Sequence, residues 1–264
     1  MNLIHTSIVR KAPLVGVHAV QIMSSRSFDK HWHDDFGFGI MDSGGQVSAS
    51  GRGQVQALAG QIITTNPGEV HDGIPIEHHA RSWRMVYITP ECMAELVGQP
   101  GVELSHPVLD DAELGLALTR VFQRWEAAPK ADAKNWLEEL LTQACGLLVQ
   151  RYSSKSLPNE RHTSVSRVRE ALLDHVDCPP ALTDLAGLAG LSRYQLVRQF
   201  SKAYGLPPFA WLQQHRLSRA QALIARGTSL LDAALSSGFS DQSHLTRAFA
   251  RYRGFTPGTW QRAQ

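Results

Sequence analysis

His31, His33 and His71 have side chains that can bind a metal or a small ligand. His31 and His33 are two residues apart, and residues at that spacing on a β-strand project from the same face. His71 follows a turn-forming sequence and can approach the other two across a β-barrel. Three imidazoles can bind a divalent metal, and they can equally line a pocket for an organic ligand.

Trp83, Arg84 and Tyr87 lie within residues 81–88, where polar and apolar residues alternate and predict a strand. Trp83 and Tyr87 share one face of that strand, and Arg84 lies on the other. Only one face can line a pocket, and the sequence leaves both arrangements open. An inward Arg84 favours a carboxylate-bearing ligand, such as an amino or organic acid. An inward Trp83 and Tyr87 favour a more apolar ligand.

A second set of candidate residues lies on two predicted helices in the last hundred residues. On each helix, one face carries an apolar packing stripe, and the opposite face carries residues that can contact DNA. Arginine, glutamine and serine side chains hydrogen bond to base edges. The packing stripes are Leu196, Phe200 and Ala203 on the first helix, and Leu245, Phe249 and Tyr252 on the second. The candidate DNA contacts are Tyr194, Val197, Arg198, Gln242, Ser243, His244, Thr246 and Arg247.

Each of these helices belongs to a unit that occurs twice. Within each unit, an alanine four residues before a glycine lets two helices cross closely, the glycine adopts a left-handed turn, and a serine follows as helix N-cap. Gln195 completes a capping box with Ser192. The pattern predicts two helix-turn-helix units, suited to two turns of DNA groove. The repeat consists of Ala186, Gly190, Ser192, Leu196, Arg198, Phe200, Gly205 and Pro208, matched by Ala234, Gly238, Ser240, Leu245, Arg247, Phe249, Gly254 and Pro257.

The two parts of the chain carry opposite charge. Residues 161–264 contain 13 Lys and Arg against 6 Asp and Glu, whereas residues 1–160 contain 13 against 18. A basic C-terminal domain suits the phosphate backbone, and DNA repels an acidic N-terminal domain. A solvated helical surface can also be basic, but it does not explain the repeated pattern of alanine, glycine and serine.

Residues 165–264 resemble the paired helix-turn-helix domain of AraC/XylS-type transcription regulators. The resemblance is carried by residues 238–249, GFSDQSHLTRAF, and by residues 254–257, GFTP. Trp260 and Gln261 depart from the tyrosine and arginine usual in that family, which puts a C-terminal packing or phosphate contact in question. The resemblance implies DNA contacts at the residues named above, except Thr246.

The same resemblance implies a long helix over residues 208–226, which holds the two units about 34 Å apart. On that helix Arg216 and Arg219 are candidates for phosphate contacts, with surface solubility as an equal alternative. RNA polymerase is a further partner expected of such a regulator.

The N-terminal half shows short apolar stretches separated by turn-forming residues, a β-rich pattern. Residues 31–33, HWH, and residues 67–71, PGEVH, resemble the two halves of a cupin barrel, which regulators of this family often carry as a sensor. Metal-dependent cupins continue to a glutamate where this chain has Gly37 and Phe38, with only Asp34 and Asp35 nearby. We therefore expect no tightly bound metal and no cofactor.

The predicted fold is a cupin-like barrel over residues 1–108, helices over 109–152, a flexible linker over 153–164 and an all-α domain with two helix-turn-helix units over 165–264. The helices at 109–152 either cover the barrel or form a homodimer, as helices placed here often do in similar regulators. A flexible linker suits regulation by a small-molecule effector that changes how the sensor presents the DNA-binding domain. Such an effector either activates or represses transcription.

Composition limits the alternatives. Cys92, Cys145 and Cys178 are scattered and show no metal-binding spacing, which indicates a reducing cytosol. No export signal and no membrane span is expected, so the predicted location is cytoplasmic. The predicted function is a DNA-binding, effector-controlled regulator and not an enzyme. The alternatives are a metal-dependent cupin enzyme with a DNA-binding tail and an architectural DNA protein.

Overall fold

Alternating apolar residues in the N-terminal half form antiparallel sheets. The computed structural model describes residues 4–50, 53–127, 133–155 and 164–264. The strand predicted at residues 81–88 is confirmed and lies inside the larger sheet. In spatial order, that sheet contains β1 (His5–Lys11), β2 (Val17–Ser24), β9 (Arg81–Ile88), β4 (Phe36–Ser43), β7 (Ile62–Thr65) and β11 (Val108–Leu109).

A smaller antiparallel sheet carries two of the three candidate histidines. Its strands, in spatial order, are β3 (Phe28–His31), β8 (His71–Pro75), β5 (Gly45–Ser50) and β6 (Gly53–Leu58). A 3-10 turn (Ile76–His78) leads from β8 towards β9. The predicted barrel is therefore present as two separate antiparallel sheets that do not close into one.

Helices cover one face of the larger sheet. They are α1 (Pro90–Val97), α2 (Ala112–Ala127) and α3 (Ala133–Tyr152). Alternate residues of β4 and β9, such as Phe38 and Val86, share a core with Leu118 of α2 and Leu141 of α3, and all four are fully buried. The predicted helical period of residues 110–152 is confirmed where the structure describes them, at 112–127 and 133–152, and most of the apolar face packs on the sheet. Trp136 is an exception, because it is 46% exposed.

The C-terminal part is helical, as predicted. Val165 and Val168 of its first helix pack with Leu196 and Phe200 in a buried cluster. Trp260 is also buried, and its indole N–H donates to the Gln221 carbonyl at 3.1 Å, so the departure at this position keeps a packing contact. The helices are α4 (Ser164–Asp174), α5 (Leu182–Ala189), α6 (Arg193–Tyr204), α7 (Pro208–Ala225), α8 (Leu230–Ser236), α9 (Gln242–Arg253) and α10 (Pro257–Arg262).

The chain divides into two units: Met1–Leu157 with Ala263–Gln264, and Pro158–Arg262. The linker expected over residues 153–164 can be compared with the structure only at its two ends, because residues 156–163 lie outside the described ranges. Its first three residues form β12 (Ser153–Lys155), which pairs with β10 (Val102–Leu104). Its last residue, Ser164, already begins α4.

None of the helices described in the structure has a stretch long and apolar enough to cross a membrane.

Candidate functional site

The first helix-turn-helix unit consists of α5 and α6, and its local sequence sets the turn. Gly190 ends α5 with φ of 66°, in the left-handed region that glycine adopts without strain. The Ser192 hydroxyl accepts a hydrogen bond from the Gln195 N–H at 3.2 Å, and the Gln195 side-chain oxygen accepts from the Ser192 N–H at 2.9 Å. The predicted capping box is confirmed.

The second unit consists of α8 and α9, and its cap differs from the expected one. Gly238 takes the left-handed turn with φ of 81°. The prediction that Ser240 caps α9 is wrong, because Asp241 is the N-cap and its Oδ1 accepts from the His244 N–H at 2.7 Å. The Ser240 hydroxyl instead donates to Asp241 Oδ2 at 3.1 Å. The His244 N–H and the Ser240 hydroxyl lower the pKa of Asp241, so this carboxylate is held ionised at the helix start.

Helix α6 buries its apolar stripe and exposes the opposite face. Leu196 and Phe200 are fully buried, whereas Tyr194 is 74% exposed and Arg198 is also exposed. Val197 is half-buried between the two faces. Ala203, expected in the stripe, is exposed, and Tyr204 packs against Phe200 in its place.

Helix α9 has the same division into faces. Leu245 and Phe249 are fully buried and Tyr252 is half-buried, whereas Gln242, Ser243 and Arg247 are exposed. His244 and Thr246 are half-buried. The Thr246 hydroxyl donates to the Gln242 carbonyl one turn earlier at 2.8 Å, so its hydrogen atom is directed along the helix.

The two arginines of α7 have different surroundings. Arg219 is exposed. The Arg216 guanidinium lies half-buried and donates to the Val176 carbonyl from both Nε, at 2.9 Å, and its terminal nitrogen. Burial lowers the pKa of Arg216, and Asp177 opposes that shift. Arg216 therefore links α7 to the segment that follows α4, a tertiary contact that helical spacing does not reveal. Phosphate contacts of Arg216 and Arg219 stay predictions.

The candidate ligand site lies in the N-terminal unit, where the structure brings His31, His33 and His71 together. His31 and His71 are paired across β3 and β8, with ring centroids 4.6 Å apart. His33 follows the end of β3, with its ring centroid 5.0 Å from that of His31 and 5.2 Å from that of His71. One nitrogen of each ring lies within 4.8 Å of the others.

The two faces of β9 have distinct environments. The Tyr87 ring lies 4.8 Å from the His33 ring, and its hydroxyl is 3.5 Å from His33 Nε2. Trp83, on the same face, is buried edge-on to Phe28. Arg84 is not with them, because it lies on the face covered by α2, where it pairs with Asp42 at 2.7 Å and stacks over the Phe122 ring. Of the two arrangements that the sequence left open, the structure therefore has Trp83 and Tyr87 on the side of the histidines, and the placement of Arg84 there is wrong.

Arg81 and His18 were not identified from the sequence. Arg81 is completely buried, and burial lowers its pKa to about 10. Its guanidinium donates to the Gln46 side chain and to the Gly73 and Ser24 carbonyls, at 2.9, 3.1 and 3.3 Å. His18 stacks on Tyr87 with ring centroids 5.0 Å apart. The one sequence signal for Arg81 is its spacing from Trp83, which places both on one strand face.

Two sequence-family models match the chain. The model described as AraC-like ligand binding domain matches residues 20–144, and one described as helix-turn-helix domain matches residues 185–263. The chain belongs to the AraC family of transcription regulators. It is a DNA-binding regulator with an N-terminal domain of the ligand-binding type.

Individual relatives agree with this assignment. The HTH-type transcriptional regulator YbfI of Bacillus subtilis is 29% identical over 229 residues, which cover 83% of this chain and 82% of that one. RipA of Corynebacterium glutamicum, another HTH-type transcriptional regulator, is 32% identical over 127 residues, which cover 48% and 38% of the two chains. A structure of ToxT from Vibrio cholerae shares the fold, with a TM-score of 0.52 and 11% identity over 100% of this chain and 98% of that one.

Proposed function

We propose that α6 and α9 enter two successive segments of the DNA major groove and read different parts of one site. The observation that carries the proposal is the matched division of the two helices: each buries its apolar stripe in the C-terminal unit and exposes an arginine on the other face. Arg198 and Arg247 can therefore reach base edges or phosphates without any change of fold.

The joining helix supports the same proposal. Helix α7 has 18 residues, and at 1.5 Å per residue such a helix is about 27 Å long. That length approaches the spacing of about 34 Å between successive segments of major groove on one side of the duplex. The net positive charge of residues 161–264 adds attraction to the phosphates.

Binding to promoter DNA tests the assignment of the two arginines. Arg198→Ala and Arg247→Ala in the full-length chain each remove one exposed charge from a proposed reading face. Loss of a base contact should cost about 1–3 kcal/mol and relax specificity at one position, whereas loss of a phosphate contact weakens binding to all sequences alike. Arg226→Ala is the charge-matched control, since Arg226 is exposed at the end of α7. Equal effects of all three substitutions would contradict the proposal.

We further propose that a small-molecule effector binds to the N-terminal unit on the face that carries His33, Trp83 and Tyr87. His33 and Tyr87 are half-buried rings with polar atoms, and Trp83 is a buried ring on the same strand face as Tyr87, a combination typical of ligand sites. The effector changes occupancy of DNA because it favours one arrangement of the regulator over another. A compound that saturates this site while leaving DNA affinity, half-site spacing and promoter output unchanged would contradict the mechanism.

Self-association through residues 109–152 is part of the proposal. Leu116 on α2 and Trp136 on α3 are 52% and 46% exposed, although most apolar residues of these helices are buried. A homodimer would cover such side chains and would place two DNA-binding domains on neighbouring sites. Light scattering of the full-length protein at micromolar concentration should give the mass of a dimer. A monomeric mass that DNA does not change would contradict this step.

The proposed regulator acts in the cytoplasm, contacts RNA polymerase at its promoter and catalyses no reaction. Its relatives support this, since they are transcription regulators by name. Turnover of a small molecule by the purified protein would contradict the last point.

A further inference from the structure

Three histidines of the N-terminal unit, His31, His33 and His71, lie close enough together to bind one metal ion. Their closest nitrogens all lie within 4.8 Å of one another, although the residues come from two strands and a following loop. Imidazole nitrogen binds Zn²⁺ at about 2.0–2.1 Å, so three nitrogens this close need only small side-chain movements to share one ion. His31 is buried and the other two rings are half-buried, which limits competition from water.

Hydrogen bonds to the backbone set the orientation of two of the rings. His31 Nδ1 lies 2.6 Å from the Asp29 carbonyl oxygen, and His71 Nδ1 lies 2.8 Å from the Glu69 carbonyl oxygen. A carbonyl only accepts, so each Nδ1 carries the proton, and in the neutral ring the lone pair is then on Nε2. Metal-binding histidines are commonly held in this way, since a bond from the other ring nitrogen fixes the tautomer and raises the basicity of the ligand.

The third imidazole, that of His33, lies beside a hydroxyl group. His33 Nε2 is 3.5 Å from the Tyr87 hydroxyl. Next to Tyr87, the Thr65 hydroxyl is buried without a hydrogen-bond partner in the structure. Both side chains border Gly37, because a Cβ built there would lie 2.6 Å from Thr65 Oγ1 and 2.9 Å from a Tyr87 ring carbon. A longer side chain has no room at residue 37, because the Thr65 hydroxyl and the Tyr87 ring occupy that space.

From the sequence we expected no tightly bound metal, because the glutamate of metal-dependent cupins is missing. The contacts of the three histidines favour a metal site instead. Three imidazoles are a complete set of protein ligands for Zn²⁺ when water or another molecule takes the fourth position. We propose that His31, His33 and His71 bind one divalent transition-metal ion of the type that prefers nitrogen, such as Zn²⁺ or Co²⁺, with the remaining position next to Tyr87. The proposal does not depend on DNA recognition. It shares His33 and Tyr87 with the proposed effector site, and its test measures metal binding alone.

Metal binding to the full-length protein tests the proposal directly. Protein prepared without metal-affinity resin is stripped with a chelator and titrated with Zn²⁺ against a chromophoric competitor. We expect saturation at one ion per chain, and with Co²⁺ we expect visible absorption bands of a nitrogen-coordinated ion. Weak binding without a defined stoichiometry, together with a spectrum of hydrated Co²⁺, would overturn the proposal.

Variants then assign the site. His31→Gln and His71→Gln should each weaken Zn²⁺ binding by at least about 100-fold, because loss of even an outer partner of a ligand costs 10–100-fold. His79→Gln is the matched control, since this histidine is 77% exposed and outside the cluster, and it should leave affinity unchanged. Equal affinity in all three variants would place the ion elsewhere and overturn the proposal. The wild-type stoichiometry and Co²⁺ spectrum decide the question even if a variant does not fold.

Discussion

The two turn glycines occupy equivalent positions in the repeat, but they have different surroundings. A Cβ at Gly190 would meet no atom within 4 Å, whereas one at Gly238 would lie 2.8 Å from both the Val176 carbonyl oxygen and Arg216 Nε. In both turns an alanine is strained, because φ is 66° at Gly190 and 81° at Gly238. We expect Gly190→Ala to cost about 1–2 kcal/mol from this backbone strain alone.

Gly238→Ala should cost more. The added methyl group must push the Arg216 guanidinium away from the Val176 carbonyl, and loss of a hydrogen bond from a charged group adds about 1.5–3 kcal/mol. The two costs together are about 2.5–5 kcal/mol. Gly187→Ala is a control of opposite sign, because Gly187 lies inside α5 with open space around it and alanine favours a helix by about 1 kcal/mol.

Hydrogen exchange of the full-length protein measures these effects in the helices concerned. At about 1.4 kcal/mol per tenfold change, Gly238→Ala should speed exchange of the most protected amides of α8 and α9 by about 60-fold or more. Gly190→Ala should speed exchange in α5 and α6 by about 5- to 30-fold. Equal effects of the two substitutions would refute the reasoning, since it attributes the difference to the Arg216 contact.

Three further substitutions test other contacts. Arg81→Met should lower the stability of the N-terminal unit by at least about 3 kcal/mol in guanidinium denaturation, because it leaves the buried Ser24 and Gly73 carbonyls without their donor; an unchanged midpoint would contradict this. The Leu114 N–H, with the Tyr152 hydroxyl and Arg151, lowers the pKa of Asp111 from 3.8 to about 2. The contribution of ionised Asp111 to the free energy of unfolding is therefore complete above about pH 4 and is lost as the pH falls towards 2. In Asp111→Asn, the free energy of unfolding should depend less on pH between about pH 4 and 2. Asp241→Ala should cost about 1 kcal/mol in α9 and Asp241→Asn much less, as judged by hydrogen exchange, because asparagine is also a good N-cap; equal losses would argue against the cap.

Local sequence patterns were sufficient to predict the turn and the second helix start of the first DNA-binding unit. Gly190 and the capping box of Ser192 and Gln195 act through neighbours within a few residues, so the turn and the helix start follow from the sequence. The same rules gave the wrong residue at the start of α9, where Ser240 and Asp241 are adjacent and both residue types are good N-caps. The tertiary structure selects Asp241, one residue later than the repeat alone indicates.

Contacts between distant parts of the chain could not be predicted. The bond from Arg216 to Val176 joins residues 40 apart, and those of Arg81 reach up to 57 residues back. Which face of β9 meets the histidines was equally open, because alternation assigns Trp83 and Arg84 to opposite faces but does not say which face the helices cover. The structure answers that question through Phe122, which packs against Arg84.

Selection of genomic DNA fragments on the full-length protein, followed by sequencing, tests the central claim most directly. For the wild-type chain we predict sites with two short conserved blocks about one helical turn, 10–10.5 base pairs, apart. Arg198→Ala should relax one block and Arg247→Ala the other, while Arg226→Ala keeps both. Enrichment without any motif, or a single block that both arginine substitutions affect alike, would contradict the claim that α6 and α9 read two parts of one site.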